Sequence, residues 1–317
     1  MGIGIGAPPG VAILSAPSYA LVGVSLTVSG TCAPATATVS VTVNGETLGS
    51  TVGVGGAWSV TADATYAMVG ASVDVVATAG SASDTTTIEV IGPEYHWDRA
   101  SETLNAVPDP DTIAALHNQG AAGTADLAQA TEALQPQVGT DGDGKDFFET
   151  TASGQYLQTA ADVLGGATAF TLEYIVVVPS GPTSGNLLDS NDSGNRPFVI
   201  ARTASALRSV SPSGQYGDLT LTPNAEKKSV IVQWDASGAA NADRLKAWLD
   251  GAPQTLAFTG TIANSALPTG TLLRVLSRYD GGNTWEGAMY SVRLWERLLT
   301  DTQIGQIYAR SATDWSL

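Results

Sequence analysis

Between Trp285 and Tyr308 a run of alternating residues passes without a break into a capped helix, and this stretch constrains the fold more than any other. Across residues 288 to 295, Tyr290, Val292 and Leu294 share one face, while Met289, Ser291, Arg293 and Trp295 share the other. That is the pattern of a half-buried strand. Thr300 followed three residues later by Gln303 has the spacing of a capping box, and Ile304, Ile307 and Tyr308 then fall at the i, i+3 and i+4 positions of one helical face. The strand therefore hands over to one turn of amphipathic helix that must pack on a sheet.

Trp285, Gly287, Trp295, Arg297, Leu299, Thr300 and Tyr308 together form a series that resembles the closing strand and terminal helix of the laminin-G-like jelly rolls, the concanavalin A-like lectin/glucanase fold. Leu245 to Gly251, ending Trp248-Leu249-Asp250-Gly251, is similar to another strand of that family. The runs Asn118-Gln119-Gly120, Asp126-Leu127, Gln129-Ala130-Thr131, Gln135-Pro136, Asp146-Phe147 and Tyr156-Leu157 resemble the entry of lectin-like domains in bacteriophage tail and virion proteins. Helical propensity suggests helices over DPDTIAALHNQG and ADLAQATEAL. The resemblance implies loops and short strands there instead, and it covers nearly all of residues 94 to 312.

The N-terminal part reads as a different module. VAIL from Val11, SLTVSGTC, TATVSVTV with Val39, Val41 and Val43 alternating into Asn44-Gly45, Gly56 to Val60 with Trp58, SVDVVATA and TTTIEVIG follow one another at intervals of about ten residues. They predict a sandwich of about seven strands. Gly30, Asn44, Gly45, Gly56, Trp58 and Thr85 to Val90 resemble the bacterial immunoglobulin-like repeats, which implies a spacer. Trp58 reads as core. Gly92-Pro93 marks the boundary, giving an arm over 1–9, an immunoglobulin-like domain over 10–92 and a lectin-like jelly roll over 93–317. The expected fold is all-β, two sandwiches in series with a short C-terminal helix. Further strands are expected at Phe148 to Thr150, Gln155 to Thr159, Phe170 to Val178, Asn186 to Ser190, Pro197 to Arg202, Ser229 to Trp234, Arg244 to Asp250 and Thr271 to Ser277.

Charge narrows the partners. The chain carries 30 Asp plus Glu against 14 Lys plus Arg, a formal net charge of −16, and no Lys or Arg precedes Arg99. Such a surface repels phosphates and anionic lipid, so neither nucleic acid nor membrane insertion is expected. Cys32 is the only cysteine, which rules out an intrachain disulfide and reads as a small buried thiol. MGIGIGAPPGVAIL lacks the cationic start of a secretory signal, so synthesis in the cytoplasm without a signal peptide is expected.

Few residues point to catalysis. Retaining glycosidases need two carboxyl groups about 5 Å apart. The glucanase relatives use Glu-x-Asp-x-x-Glu, which is absent here, and the strands in question offer only Glu173 and Asp235. His96 and His117 lie in the entry region, no Gly-x-Ser-x-Gly elbow occurs, and two histidines with one cysteine make no standard zinc site. No enzyme activity is expected. No cofactor is implied either, calcium being the one ion the residues allow. Asp141 to Asp146 concentrates hard oxygen ligands but departs from the EF-hand pattern at Gly144 and Lys145 and reads as a solvated turn; the loop Asp189 to Asn195 is the second place for it.

Sugar binding needs an aromatic face beside Asp, Asn or Arg to hold paired hydroxyls. Two polar loops offer that mixture: Arg278, Tyr279, Asp280 and Asn283, and Asp189, Asn191, Asp192, Asn195 and Arg196. Trp285 stands at the family's core aromatic position, and Trp248, sharing a strand face with Lys246 and Arg244, reads as packing before platform. The two modules together resemble tail, head-fibre or spike proteins of tailed phages and phage-like particles such as gene transfer agents. That implies a virion protein on the particle surface that binds host cell-surface polysaccharide, assembles as a homo-oligomer, and meets other particle proteins through its N-terminal arm and immunoglobulin-like domain. A decoration protein that binds nothing and a polysaccharide-degrading enzyme are the alternatives.

Overall fold

The computed structural model describes residues 10–98, 102–104, 112–178, 185–190, 198–203, 206–210, 214–221, 226–270, 272–278, 280 and 282–317. The chain divides into two units between Gly92 and Pro93. The fold is all-β, an immunoglobulin-like sandwich followed by a jelly-roll sandwich with a C-terminal helix.

The first unit has β1 (Gly10–Ser15), β2 (Tyr19–Leu21), β3 (Ser25–Ala33), β4 (Thr38–Val43), β5 (Glu46–Val52), β6 (Ala57–Asp63), β7 (Gly70–Ala79) and β8 (Ala82–Ile91). One sheet runs β1-β3-β6 and the other β2-β8-β7-β4-β5, with β2 parallel to β8 and the remaining pairs antiparallel. Among the described residues this unit has eight strands against the expected seven or so; beyond the apolar runs named above, Tyr19–Leu21 forms a short strand after Pro17 and Glu46–Val52 forms the second arm of the Asn44-Gly45 hairpin. Asn44 and Gly45 both have positive φ, 51° and 81°, as a two-residue hairpin of the right twist requires. Val39, Val41 and Val43 of β4 are fully buried and pack with Val28, Val75 and Ala77, while Thr38 and Ser40 face water. Trp58 belongs to this core and its Nε1 donates to the Thr31 carbonyl at 2.9 Å; Cys32 is a buried free thiol.

The second unit opens with β9 (Tyr95–Asp98), β10 (Glu102–Leu104), β11 (Ile113–Leu116), β12 (Leu127–Ala128), β13 (Gln137–Thr140), β14 (Asp146–Glu149), β15 (Leu157–Thr159), β16 (Ala169–Val177) and β17 (Gly185–Asp189). It continues with β18 (Val199–Arg202), β19 (Ala206–Val210), β20 (Tyr216–Thr220), β21 (Lys227–Asp235), α1 (Asn241–Arg244), β22 (Leu245–Leu249), β23 (Ala252–Gln254), β24 (Ala257–Thr259), β25 (Arg274–Val275), β26 (Met289–Trp295) and α2 (Asp301–Trp315). A ten-stranded sheet runs β10-β11-β12-β15-β25-β17-β18-β19-β20-β24, and an eight-stranded one contains β13-β14-β26-β16-β21-β22-β23, with β9 pairing β26. Their inner faces share one core, to which β16 gives Phe170, Leu172, Tyr174 and Val176, and β18 and β19 give Ile200 and Leu207. Phe170 meets Phe198 edge-on at 4.9 Å.

β16 is buried along nearly its whole length because both its faces are covered, so the expected continuous apolar run is interrupted by Thr171 and Glu173 without exposing either. Its outer residues Thr171 and Glu173 bond to the segment around α2, Thr171 Oγ1 donating to the Arg297 carbonyl at 2.8 Å and Glu173 accepting from Ser311 Oγ at 2.8 Å. The capping box forms as read: the Gln303 amide donates to Thr300 Oγ1 at 3.3 Å and the Thr300 amide to Gln303 Oε1 at 2.8 Å.

Four expectations change. α2 spans 15 residues and not a single turn, since Ile304, Ile307 and Ser311 are all buried against the sheet and extend the packed stripe. The two faces of β26 are also reassigned: an extra residue opposite the Ile175/Val176 step makes a bulge, so Met289 joins Val292 and Leu294 in the core and Tyr290 turns outward to Ile175. Arg244 ends α1 and is not on the strand with Trp248; its guanidinium holds the Gly238, Ala239 and Ile262 carbonyls. Trp248 is buried. Lastly, Thr271 to Ser277 shortens to Arg274–Val275 among the described residues. Across 112–138 only short strands and a 3-10 turn at Glu132–Leu134 form, because pairing buries Ile113, Leu116 and Leu127 completely and overrides helical propensity.

Candidate functional site

In β18, β19 and β20 every second residue enters the core, so Val199, Ala201, Arg208, Tyr216 and Asp218 stand on the opposite face of the ten-stranded sheet. Asp189, in register with Val199 and with Arg274, stands on the same face. Small residues in the middle of a row of long polar ones leave a hollow. A cleft of about 370 Å³ lies there, floored by Val199 and Ala201. Asn186 and Asp189 line one side, Arg208 and Tyr216 another, and Arg278 and Asn283 reach it from the loop before Thr284, with Arg202 also in the wall.

The side chains are held firmly. Arg208 makes a two-point bond to Asp218, Nε–Oδ1 at 2.8 Å and Nη2–Oδ2 at 2.9 Å, and its guanidinium lies 3.5 Å from the Tyr216 ring centroid. The hydrogen bond to Asp218 raises the Arg208 pKa further, so its charge is permanent. Asp189 is 1% exposed and accepts from Asn186 Nδ2 at 2.9 Å. Beside it, Arg274 stacks on Tyr156 at 3.7 Å and donates to Gln158 and to the Arg278 carbonyl. Burial lowers the Arg274 pKa, and the nearby charges of Tyr156, Asp189 and Asp280 oppose that shift.

The structure thus brings Asp189, Arg278 and Asn283 together from the two expected loops. Asp280 lies beside them without lining the cleft: its carboxylate is clamped by Arg278 Nε at 2.8 Å and by Arg278 Nη2, and takes the Gly282 amide at 2.9 Å. Tyr279, Asn191, Asp192, Asn195 and Arg196 lie outside the described residues. Asn186 and Arg202 lie on expected strands outside the two polar loops, while Arg208 and Tyr216 are new to the site because they stand on β19 and β20, which are not among the expected strands. The alternation of Leu207 with Arg208 and of Asp218 with Leu219 is the signal that marks them.

The two carboxylates weighed for catalysis are engaged elsewhere. Glu173, 1% exposed under α2, is bonded to Arg293 at 3.1 Å and to Ser229 and Ser311. Asp235 caps a turn through Ser237. Among the described residues no group of three or more His, Cys, Asp or Glu is placed to hold a metal ion, and no helix is long and apolar enough to cross a membrane.

The acidic turn at Asp141 to Asp146 faces a cation of the chain's own. Lys227 Nζ lies 2.9 Å from both Asp141 and Asp143, and Tyr290 Oη donates to Asp141 at 3.0 Å. Burial alone would raise the Asp141 carboxyl, but the bonds from Lys227, Lys145, Tyr290 and Asp143 outweigh it and bring its pKa down to about 2. Because the folded value lies below the unfolded one, the stabilisation is complete above about pH 4 and is lost as pH falls through 2. Asp141→Asn should therefore be less stable than wild type at pH 5, with the gap narrowing by pH 2. Urea midpoints at the two pH values measure this, and an unchanged gap would remove the claim.

No protein-family model matches this chain, and no curated protein matches it. Among solved structures, Trypanosoma rangeli sialidase is similar at 10% identity and TM-score 0.47, over 70% of this chain and 33% of that one. The binding domain of Botulinum neurotoxin serotype G is similar at 7% identity and TM-score 0.44, over 70% and 51%. That of Paraclostridial Mosquitocidal Protein 1 is similar at 9% and 0.48, over 68% and 51%. This chain spans between a third and a half of the length of these structures.

Proposed function

We propose that this chain is a structural protein of a phage or phage-like particle that binds cell-surface polysaccharide through the cleft of its second unit and catalyses no reaction. The observation that carries the reading is the convergence of Asn186, Asp189, Arg278 and Asn283 with the Arg208–Tyr216 stack on one cleft. Amide, carboxylate and guanidinium groups are the donors and acceptors that paired sugar hydroxyls need, and the stack presents a flat, rigid wall to the ring. The burial of Glu173 beneath α2 supports binding without hydrolysis, since neither water nor a glycosidic oxygen has room beside it. The particle assignment rests on the sequence resemblance. In it the immunoglobulin-like unit contacts other particle proteins, and many weak sites on one particle act together through effective concentration.

The test is binding of the full chain, displayed in many copies, to an array of surface polysaccharides. Saturable binding is expected, reduced about tenfold or more in both Arg208→Ala and Tyr216→Ala. Retention of full binding by both variants would place the sugar elsewhere, and no binding to any glycan would leave a decoration protein. Reducing sugars released from the bound glycan would show the protein to be an enzyme.

A further inference from the structure

The lining of the cleft is richer in arginine than the chain as a whole. With 30 acidic against 14 basic residues in the chain, most hollows on its surface should be lined by carboxylates. Among the described residues this one is lined by three arginines, Arg202, Arg208 and Arg278, and by one acid, Asp189, which is 1% exposed and held by Asn186. The other acids of the neighbourhood do not line it. Asp218 and Asp280 are each taken by two nitrogens of one arginine, and the charge of Glu286 acts on Arg202. The second lobe of the Arg208 fork is available: Nε and Nη2 bind Asp218, and among the described residues nothing accepts from Nη1. Asp218 on one edge and Tyr216 beneath fix the plane of that guanidinium before any ligand arrives.

We infer that the cleft takes the carboxylate of an acidic sugar, with Arg208 as its anchor and Arg278 as the second cationic wall. This rests on the glycan reading above and narrows it to a class, the uronates and related sugar acids. A planar carboxylate matches the guanidinium fork, and a permanently charged arginine in a partly enclosed site is screened less by salt than one on open surface. An acidic polymer would otherwise be repelled by a chain of net charge −16, so recognition needs arginine nitrogens at the point of contact.

The experiment uses the full chain and three immobilised probes: oligogalacturonate with hyaluronan oligosaccharides, the same sugars after carboxyl reduction, and dextran sulfate. The acidic sugars should bind saturably, and carboxyl reduction should weaken binding about tenfold or more, the size of one charge-assisted contact. Arg208→Lys, which keeps the charge and loses the fork, should also lose about tenfold on the acidic form and little on the reduced one. Equal binding of acidic and reduced sugars overturns the inference and leaves the glycan reading standing. Dextran sulfate binding as tightly as the uronates overturns it in favour of unspecific polyanion attraction, and binding of none of the probes overturns it while the polysaccharide array decides the glycan reading separately. The comparison of acidic with reduced sugar is made on the unmodified protein, so it stands even if the variants fold poorly.

Discussion

Arg293→Ala should lower the stability of the second unit by about 3–5 kcal/mol, the usual result of stripping one partner from a buried ion pair. The network around the pair joins four elements. Arg293 on β26 donates through Nη1 to Glu173 of β16 at 3.1 Å and to Ser311 of α2 at 3.1 Å, its Nε lies 3.3 Å from His96 of β9, and Asp314 of α2 stands 3.9 Å from Nη2. Without the guanidinium, a carboxylate that is 1% exposed keeps only the hydroxyls of Ser229 and Ser311. Two neutral donors do not replace the lost charge. The loss should appear as a lower urea midpoint, and α2 amides should exchange faster because the helix loses its polar tie to the sheet. The double variant Glu173→Gln with Arg293→Met should recover most of the loss, since no buried charge is then left alone. A double variant as unstable as the single one would mean that packing around Arg293, and not charge, holds α2 down.

Gly30→Ala should cost the first unit about 3 kcal/mol, at the upper end of overpacking in a sheet core. A Cβ at Gly30 would lie 1.8 Å from the Ala12 carbonyl oxygen and 2.7 Å from the Trp58 ring. β1 is paired to β3 at this position, Gly30 opposite Ile13, and Trp58 faces it from β6. Neither neighbour is the loose end of a flexible side chain, so β1 must leave β3 or Trp58 must leave its rotamer and its bond to Thr31. Gly10→Ala is the control, because nothing lies within 4 Å of a Cβ added there. Calorimetry gives the stability, and hydrogen exchange tells which strand yields: fast exchange confined to β1 is expected. A midpoint equal to that of Gly10→Ala would show that the sheet opens at little cost.

The parts of this fold that were legible in the sequence are those set by neighbours a few residues apart. The hairpin at Asn44-Gly45 needs two residues tolerant of positive φ, and the cap at Thr300 needs a side chain three positions on, so both are local and both formed. Val39, Val41 and Val43 alternate into the core because a strand has a period of two whatever it pairs with. The candidate site was half legible for the same reason. Polar loops announce themselves, which placed Asp189, Arg278 and Asn283 in view, but a cleft is made from what stands across from them.

What the chain alone determined, then, was its class: two all-β modules, their strand patterns, their turns and a capped C-terminal helix. Tertiary structure decided the rest. Tyr290 and Met289 exchanged faces because a bulge is a mismatch between two paired strands, and one strand read alone contains no mismatch. α2 ran to 15 residues because Ser311 found Glu173, 138 positions away in the chain. The cleft exists because sheet order sets β17, β18, β19 and β20 side by side and brings Arg278 and Asn283 to its wall. Such contacts depend on which strands pair and in what register, and that is settled by the burial of the whole core at once.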